Sequence, residues 1–240
     1  MKYLRWAALP LAVLLVLTQA PARPRTGPSQ AGAGQAADQI KKIEDAARVL
    51  EEMLKESDKG IPASLVRDCA GIAIIPDVIR AGLVIGGRHG RGILLVRGQN
   101  GGWSDPSFIE ITGGSIGWQA GVQSADVVLV FRTPRSVEHL GEGKFTLGAD
   151  AGVAAGPLGR TAEASTDAAL KAEILSYSRS RGLYAGLTLQ GTSIQEDRKA
   201  NRDLYGADVS PRDIFGGQVR AAAGLTARLK AALAELAKAK

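Results

Sequence analysis

The sequence predicts an α+β domain: an antiparallel sheet, open or barrel-like, flanked by N- and C-terminal helices. From Gly71 to Gly186, short Val, Ile and Leu runs alternate with glycines and turn dipeptides, a pattern typical of strands joined by tight connections. On both sides of this block, apolar residues recur every three or four positions, as on the buried face of a helix. A chain of 240 residues with 45% hydrophobic content can bury one such core.

The first 22 residues have the pattern of a secretory signal. Lys2 and Arg5 precede an apolar run over residues 6–17, and small residues follow, ending at Ala22. The run is too short to span a bilayer comfortably. We therefore expect export with cleavage after Ala22, and retention as an N-terminal anchor is the alternative.

Residues 23–37 are rich in Pro, Gly, Ser, Gln and Ala, which predicts a flexible leader. A single domain is expected over 38–240, with its core over 61–206. Removing the two basic residues of the signal leaves 28 basic against 24 acidic residues, so the net charge falls from +6 to +4. This mild excess is compatible with an anionic lipid surface, and we expect no nucleic-acid partner.

Helices are predicted from apolar periodicity and from residues typical of helix ends. Their expected positions are 37–56, 62–69, 136–140, a segment from Ser193 onward, and 217–238. Ser193 and Glu196 have capping-box spacing. The last helix carries one apolar stripe, which fits docking on the sheet, and lying in a membrane interface is the alternative.

Strands are predicted where aliphatic runs lie between turn sequences. They are expected at 71–75, 82–88, 93–97, 107–112, 115–122 and 126–131, followed by an Ala/Gly-rich strand region at 144–159 and a pair at 169–179 and 182–190. Hairpin turns are predicted at His89-Gly90-Arg91, Asn100-Gly101 and Gly113-Gly114. The small residues over 148–156 indicate close backbone approach, or a groove floor left open for a ligand.

The sequence gives little support for catalysis. Gly113 to Gly117 matches the G-x-S-x-G string around Ser115, but that nucleophile requires a strand-to-helix turn and here strands are predicted on both sides. Two histidines and the lone Cys69 cannot form the usual zinc set, and no phosphate-binding loop string occurs. The apolar neighbours of Cys69 indicate a buried thiol. We expect no enzyme activity, metal or cofactor.

Arginines are the better indication of function. Arg80, Arg88 and Arg91 bracket one predicted hairpin, and Arg179 and Arg181 bracket another. Guanidinium groups suit phosphates because their planar donors match phosphate oxygens. If the two hairpins point the same way, they form one anionic-headgroup site, and if they point apart, each is an ordinary soluble turn.

Four long strings carry a family resemblance, and they lie at 71–97, 108–131, 146–160 and 171–186. They include GIAIIPDVIRAGLVIGGRHGRGILLVR and KAEILSYSRSRGLYAG, and together they resemble the SYLF family. The resemblance implies binding of acidic or phosphoinositide lipids and membrane association. Actin binding, which belongs to some eukaryotic relatives, is not expected of an exported protein, and an anionic phospholipid of the cell envelope is the more plausible ligand.

The sequence thus predicts a periplasmic, membrane-associated and non-catalytic module that binds anionic phospholipid headgroups. The expected contacts are Arg80, Arg88, Arg91, Lys144, Arg179 and Arg181. One alternative is an envelope scaffold that binds a protein through its terminal helices. The other is a serine hydrolase that uses Ser115, with His139 as the only downstream histidine.

Overall fold

The computed structural model describes residues 30–55, 60–82, 85–116, 121–141, 145–158, 169, 171–180, 183–186, 189–206 and 208–239. The helices in these ranges are α1 (Gln30–Lys55), α2 (Ala63–Asp68), α3 (Pro134–Gly141), α4 (Arg198–Tyr205), α5 (Pro211–Phe215) and α6 (Ala227–Lys238). The strands are β1 (Gly71–Gly82), β2 (Ile85–Val96), β3 (Ser107–Ile116), β4 (Gly121–Phe131), β5 (Phe145–Thr146), β6 (Val153–Ala155), β7 (Ile174–Ser180), β8 (Leu183–Gly186) and β9 (Thr192–Glu196). None of these helices is both long and apolar enough to cross a membrane.

The strands form one curled sheet in the order β5-β9-β3-β2-β1-β4-β7-β6, with β8 also paired to β7. The described strand pairs are antiparallel except β6 with β7. The two ends of this order, β5 and β6, are joined by a short segment in which Leu147 and Ala151 are bridge partners. Because this short segment joins the two edges, the sheet must curl toward a half-barrel. The predicted α+β class with helices at both ends is confirmed.

Alternation along the strands gives the sheet two buried faces. We call the side covered by α1 and α6 the helix face and the other side the inner face. In β1, Ile74 belongs to the helix-face core and Ile75 to the inner-face core. The helix-face core includes residues of α1 and α6, namely Ile43, Leu50, Met53, Leu229, Leu233 and Leu236. The inner-face core takes residues from α3 and from both sheet edges, namely Val137, Leu140, Phe145, Val153 and Ile194.

A β-bulge interrupts β1 and changes which residues face inward. Ile75 pairs with Val127, but the next partners are Val78 and Ala125, so β1 carries one residue more than β4. Asp77 lies in this bulge with φ 50°, and its backbone N–H donates to Asp126 Oδ1 at 3.1 Å. Beyond the bulge the even-numbered residues of β1, which before it lay on the helix face, lie on the inner face.

Two predicted hairpin turns are wrong. His89-Gly90-Arg91 lies inside β2 and Gly113-Gly114 lies inside β3, because both strands continue through these glycines. The glycines are needed for close packing: a Cβ at Gly90 would come within 2.9 Å of Ile75 Cγ2, and one at Gly92 would collide with the Ile74 carbonyl oxygen. Asn100-Gly101 is a turn as predicted, with φ 78° at Gly101.

Several helix boundaries also differ from prediction. α1 begins at Gln30, so the expected leader is wrong for residues 30–37, while residues 1–29 lie outside the described part. The predicted capping box at 193–196 is wrong because these residues belong to β9. The N-cap of α4 is Asp197, whose Oδ1 accepts from the Ala200 N–H at 3.0 Å. α6 begins at Ala227, ten residues after the predicted start, and the short helices α2 and α3 are confirmed.

Gly92 offers a test of the close packing on β2. Gly92→Ala should lower the free energy of unfolding by about 1–3 kcal/mol, because the new methyl group forces the β1 backbone aside. Gly87→Ala on the same strand is the matched control, since a Cβ there meets no atom within 4 Å. It should be neutral or stabilise by up to about 1 kcal/mol. Chemical denaturation measures both, and equal effects would contradict the packing described here.

Candidate anion-binding site

The predicted arginines divide between the two faces of the sheet. Arg80 and Arg88 are directly opposed partners on β1 and β2, and they lie on the inner face beside Val78 and Gly90. Arg179 lies on the helix face, because it alternates with the inner-face residue Ser178 on β7 and follows the helix-face Tyr177 by two. Lys144 and Arg181 lie outside the described residues. The four predicted arginines that the structure describes therefore do not meet in one site.

Arg91 and Arg179 have acidic partners. Arg91 Nε lies 3.7 Å from Asp197 Oδ2, and its side chain is 53% exposed. Arg179 forms a close ion pair with Glu52 of α1 and lies 3.7 Å from Asp126. Burial is the main cause that raises the pKa of Asp126. Arg179 thus fastens α1 to the sheet, which is a structural role.

Arg88 belongs to a polar row that crosses the inner face. Across neighbouring strands the directly opposed residues, in order, are Thr192, Gly113, Arg88, Arg80 and Gln123. Gly113 has no side chain, so Arg88 extends over it and its Nη1 donates to Thr192 Oγ1 at 3.0 Å. Sequence reasoning missed Thr192, because its place beside Arg88 depends on the β3–β9 register and no local pattern reports it.

Among the described residues, nothing compensates the positive charge of the Arg80–Arg88 pair. Only 9% of Arg88 is exposed, and its buried Nε has no hydrogen-bond partner. Within the described residues, no carboxylate lies within 4 Å of either guanidinium. Burial lowers the pKa of Arg88, and the charge of Arg80 lowers it further, while burial also lowers the pKa of Arg80. Arginine stays protonated in proteins, so two like charges face each other here.

Glycines leave space beside this pair. Two residues further toward the β1–β2 connection, the inner-face positions are Gly82, Gly86 and Gly121, which are register partners on three adjacent strands. None of them has a side chain to cover the guanidinium groups. The pair thus lies next to the apolar core on one side and next to these three glycines on the other. An anion approaching along this glycine rim would first meet the partly exposed Arg80 guanidinium, with the buried, unpartnered Arg88 Nε behind it.

The other candidate groups do not form a reactive site among the described residues. Ser115 lies within β3, paired with Gly86, and not at a strand-to-helix turn. Burial raises the pKa of the Cys69 thiol to about 11, so little nucleophilic thiolate exists at neutral pH. Asp150 accepts from the Thr146 N–H at 2.7 Å and closes a turn. No cluster of three or more metal-ligating side chains occurs in this part of the chain.

Comparison with known proteins places this fold in a family. A family model described as Ysc84, "Las17-binding protein actin regulator", matches residues 112–236, which is more than half of the chain. The chain belongs to the Ysc84 family. This is the SYLF-domain family that the sequence strings resemble, so that prediction is confirmed.

Curated relatives of this family come from yeast and mammals. The chain is 37% identical over 183 residues to LAS seventeen-binding protein 3 of Saccharomyces cerevisiae, which covers 73% of this chain and 40% of the relative. It is 38% identical over 178 residues to human SH3 domain-containing YSC84-like protein 1, covering 72% of this chain and 52% of the relative. The chain therefore spans about half, or less, of the length of these relatives.

Because Arg88 lacks an acidic partner among the described residues, replacing arginine by methionine should have opposite effects on the free energy of unfolding at positions 88 and 97. Arg88→Met should raise the free energy of unfolding by about 1 kcal/mol, because it removes a buried charge without an acidic partner. Arg97→Met is the matched control: this guanidinium donates to the Val66, Cys69 and Gly101 carbonyls and lies 4.3 Å from the Trp103 ring. Its loss should cost at least about 2 kcal/mol. Urea denaturation compares the two, and destabilisation by Arg88→Met would contradict the imbalance.

Proposed function

We propose that this protein is a non-catalytic module that binds the anionic headgroup of a phospholipid through Arg80 and Arg88. The observation that carries the proposal is the uncompensated pair: Arg88 is almost fully buried, retains an unpartnered Nε donor and faces a second arginine. A phosphate between the two would supply the missing negative charge and accept their hydrogen bonds. In a core that only stabilises the fold, two facing arginines without an acidic partner would lower the free energy of unfolding.

The choice of a lipid over free phosphate rests on supporting observations. The family resemblance implies lipid binding, and the glycine rim lies between the pair and the end of the sheet, on the side away from the apolar core. A headgroup on a bilayer could reach the pair from that end. Free inorganic phosphate shares the chemistry, so a direct comparison of the two ligands is needed.

Protein binding is the second candidate, because the yeast relative is named for binding Las17. The terminal helices, however, are committed to the fold. Arg228 of α6 donates Nε and Nη2 to Glu51 of α1, each at 2.7 Å, and Leu229 and Leu233 are fully buried. Their apolar stripes are thus covered by the sheet and by each other. This favours the docked form of the last helix over the membrane-interface form. Among the described residues of α1 and α6, no apolar stripe is left for a partner.

Vesicle flotation tests the headgroup proposal. Arg80→Gln and Arg88→Gln should each weaken binding to vesicles containing phosphatidylglycerol about tenfold or more, since each removes charge-assisted hydrogen bonds. Arg220→Gln is the charge-matched control, because Arg220 is exposed and far from the pair in the fold. Binding should weaken with added salt and be absent from phosphatidylcholine vesicles. Equal losses from all three variants, or equal binding to neutral vesicles, would overturn the proposal.

We also propose that the chain is exported to the periplasm and associates peripherally with a membrane. The support is the signal-like pattern of residues 1–22. Expression of the whole chain in a Gram-negative host should give a periplasmic protein that begins at Arg23, as N-terminal sequencing and mass would measure. A product that keeps Met1 and remains in the cytoplasm would contradict export, whereas a membrane-bound product that keeps Met1 would indicate the anchor.

A further inference from the structure

A groove crosses the end of the sheet that lies opposite the arginine pair. At this end Gly71 and Val96 are register partners on β1 and β2, whereas Arg80 and Arg88 lie near the other end of the same two strands. The groove consists of two concavities of about 350 Å³ and about 1020 Å³, which we call the apolar pocket and the polar cleft. They share three lining residues, Arg97, Phe215 and Gly216. All lining residues of both lie in the described ranges.

The apolar pocket is the place where the inner-face core reaches solvent. Ala70, Val96 and Phe215 pack against that core and are only partly buried. Val137 and Pro134 of α3 complete the apolar lining. The pocket has room for a large apolar side chain such as that of Phe or Leu. A side chain placed there would extend the core, so the hydrophobic effect favours its binding.

The polar cleft is held in shape by one carboxylate. Its walls are the β2–β3 connection and the segment 216–226 before α6. Asp105 of the first wall accepts from the Ala221 N–H at 2.9 Å. It also accepts from Thr226 Oγ1 at 3.2 Å and from Lys230 Nζ at 2.7 Å. The cleft is therefore formed before any ligand arrives, which lowers the entropy lost on binding.

Positive charge predominates along the groove. The charged lining residues are the cations Arg97, Arg212, Arg220 and Lys230 and the acids Asp105 and Glu138. Lys230 already pairs with Asp105. Within the described part of the chain, no carboxylate lies within 4 Å of the three guanidinium groups. Arg97 donates to backbone carbonyls, which bring no net charge. The groove thus attracts an anionic ligand.

Small residues expose the backbone of one wall. Ala221 to Gly224 follow one another along the polar cleft, and Gly216 and Gly217 lie before them. Ala222 and Ala223 are exposed, and among the described residues their N–H groups have no hydrogen-bond acceptor. A carbonyl group of a ligand can accept from them without breaking a hydrogen bond of the protein. Bare backbone of this kind suits an extended peptide chain.

We propose that this groove binds an acidic peptide segment of a protein partner, with one apolar side chain of that segment in the apolar pocket. Charge complementarity requires the carboxylates, and the two connected concavities suit an extended chain more than a compact small molecule. A second copy of this chain is disfavoured, because its net charge of +6 is repelled by a cationic groove. The inference does not depend on headgroup binding, and the two sites lie at opposite ends of β1 and β2.

A peptide library tests the chemistry of the ligand. A phage-displayed library of random peptides, selected on the whole purified chain, should yield sequences that combine Asp or Glu with one large apolar residue. The most enriched peptide, labelled with fluorescein, should bind in an anisotropy assay with an affinity that falls as salt is added. Enrichment of basic sequences, or no enrichment over the bare support, would overturn the proposal.

Variants test whether the enriched peptide occupies the groove. Phe215→Ser should weaken its binding about tenfold, because the apolar pocket loses a wall. Arg220→Glu should do the same by reversing a charge, and it decides the result if Phe215→Ser does not fold, since Arg220 is exposed and has no ion pair among the described residues. Lys41→Glu is the control, because Lys41 is exposed on α1 outside the groove. Unchanged binding in Arg220→Glu, or an equal loss in Lys41→Glu, is the contrary result.

Arg88→Gln separates this site from the proposed headgroup site. Peptide affinity should be unchanged in this variant, and a tenfold loss would place the peptide at the arginine pair and overturn the inference. Vesicles containing phosphatidylglycerol should not displace the peptide. If they do, and Arg220→Glu also abolishes vesicle binding, the groove is a lipid site and not a peptide site. If Arg88→Gln leaves vesicle binding unchanged while the peptide results hold, only the proposed function fails.

Discussion

The extra residue in β1 determines where the charged site lies. Side chains alternate across a strand, so one inserted residue moves every later side chain to the other face. Ile74 lies on the helix face, and without the bulge Arg80 would share that face with it. Because of the bulge, Arg80 opposes Arg88 on the inner face instead. Asp77 has a positive φ, which is unfavourable for a residue other than glycine. The hydrogen bond from its N–H to Asp126 stabilises this backbone conformation.

The bulge is also connected to the first helix. Asp126, which accepts from the bulge, lies 3.7 Å from Arg179, and Arg179 pairs with Glu52 of α1. The Asp126 carboxylate therefore stabilises the bulge in β1 and also helps to orient Arg179, which binds α1 through Glu52. Any rearrangement that separates α1 from Arg179 would also change the electrostatic surroundings of Asp126 and of the bulge. The position of the helix and the inward direction of Arg80 are thus coupled through contacts that are all on the helix face.

The sequence predicts the parts of this fold that depend on local patterns. The class, the short helices α2 and α3, and the β7–β8 pair follow from periodicity, proline position and turn residues. The two wrong hairpin turns have one cause, which is that glycine occurs both in turns and at positions of close packing. Gly90 and Gly113 look like turn residues, yet each allows a neighbour to approach within 3.1 Å or less of the position that its Cβ would occupy. A single sequence shows where glycines occur, but it does not show whether a glycine lies in a turn or next to a closely packed neighbour.

The candidate site shows the same limit. Composition identified Arg80 and Arg88, but it also grouped them with Arg91 and Arg179, whose acidic partners Asp197 and Glu52 are distant in sequence. Arg91 and Arg179 have acidic partners, whereas Arg80 and Arg88 have none among the described residues. Such partners are set by register and packing. Arg97 makes this plain, because three backbone carbonyls satisfy it although its sequence context is also a hairpin strand.

The curled shape of the sheet explains why an uncompensated charge is tolerated at the end of the sheet and not in its apolar core. The segment that joins β5 to β6 brings the sheet edges together and encloses an apolar inner core, where an unpaired guanidinium would be very costly. Next to the glycine rim, Arg80 is partly exposed to water, so the cost of its charge is smaller. The two extensive cores supply the stability that tolerates it. A pair of arginines at this boundary lowers the stability of the free protein. Under the proposed headgroup binding an anion would supply the missing negative charge, so the charge imbalance itself would favour binding.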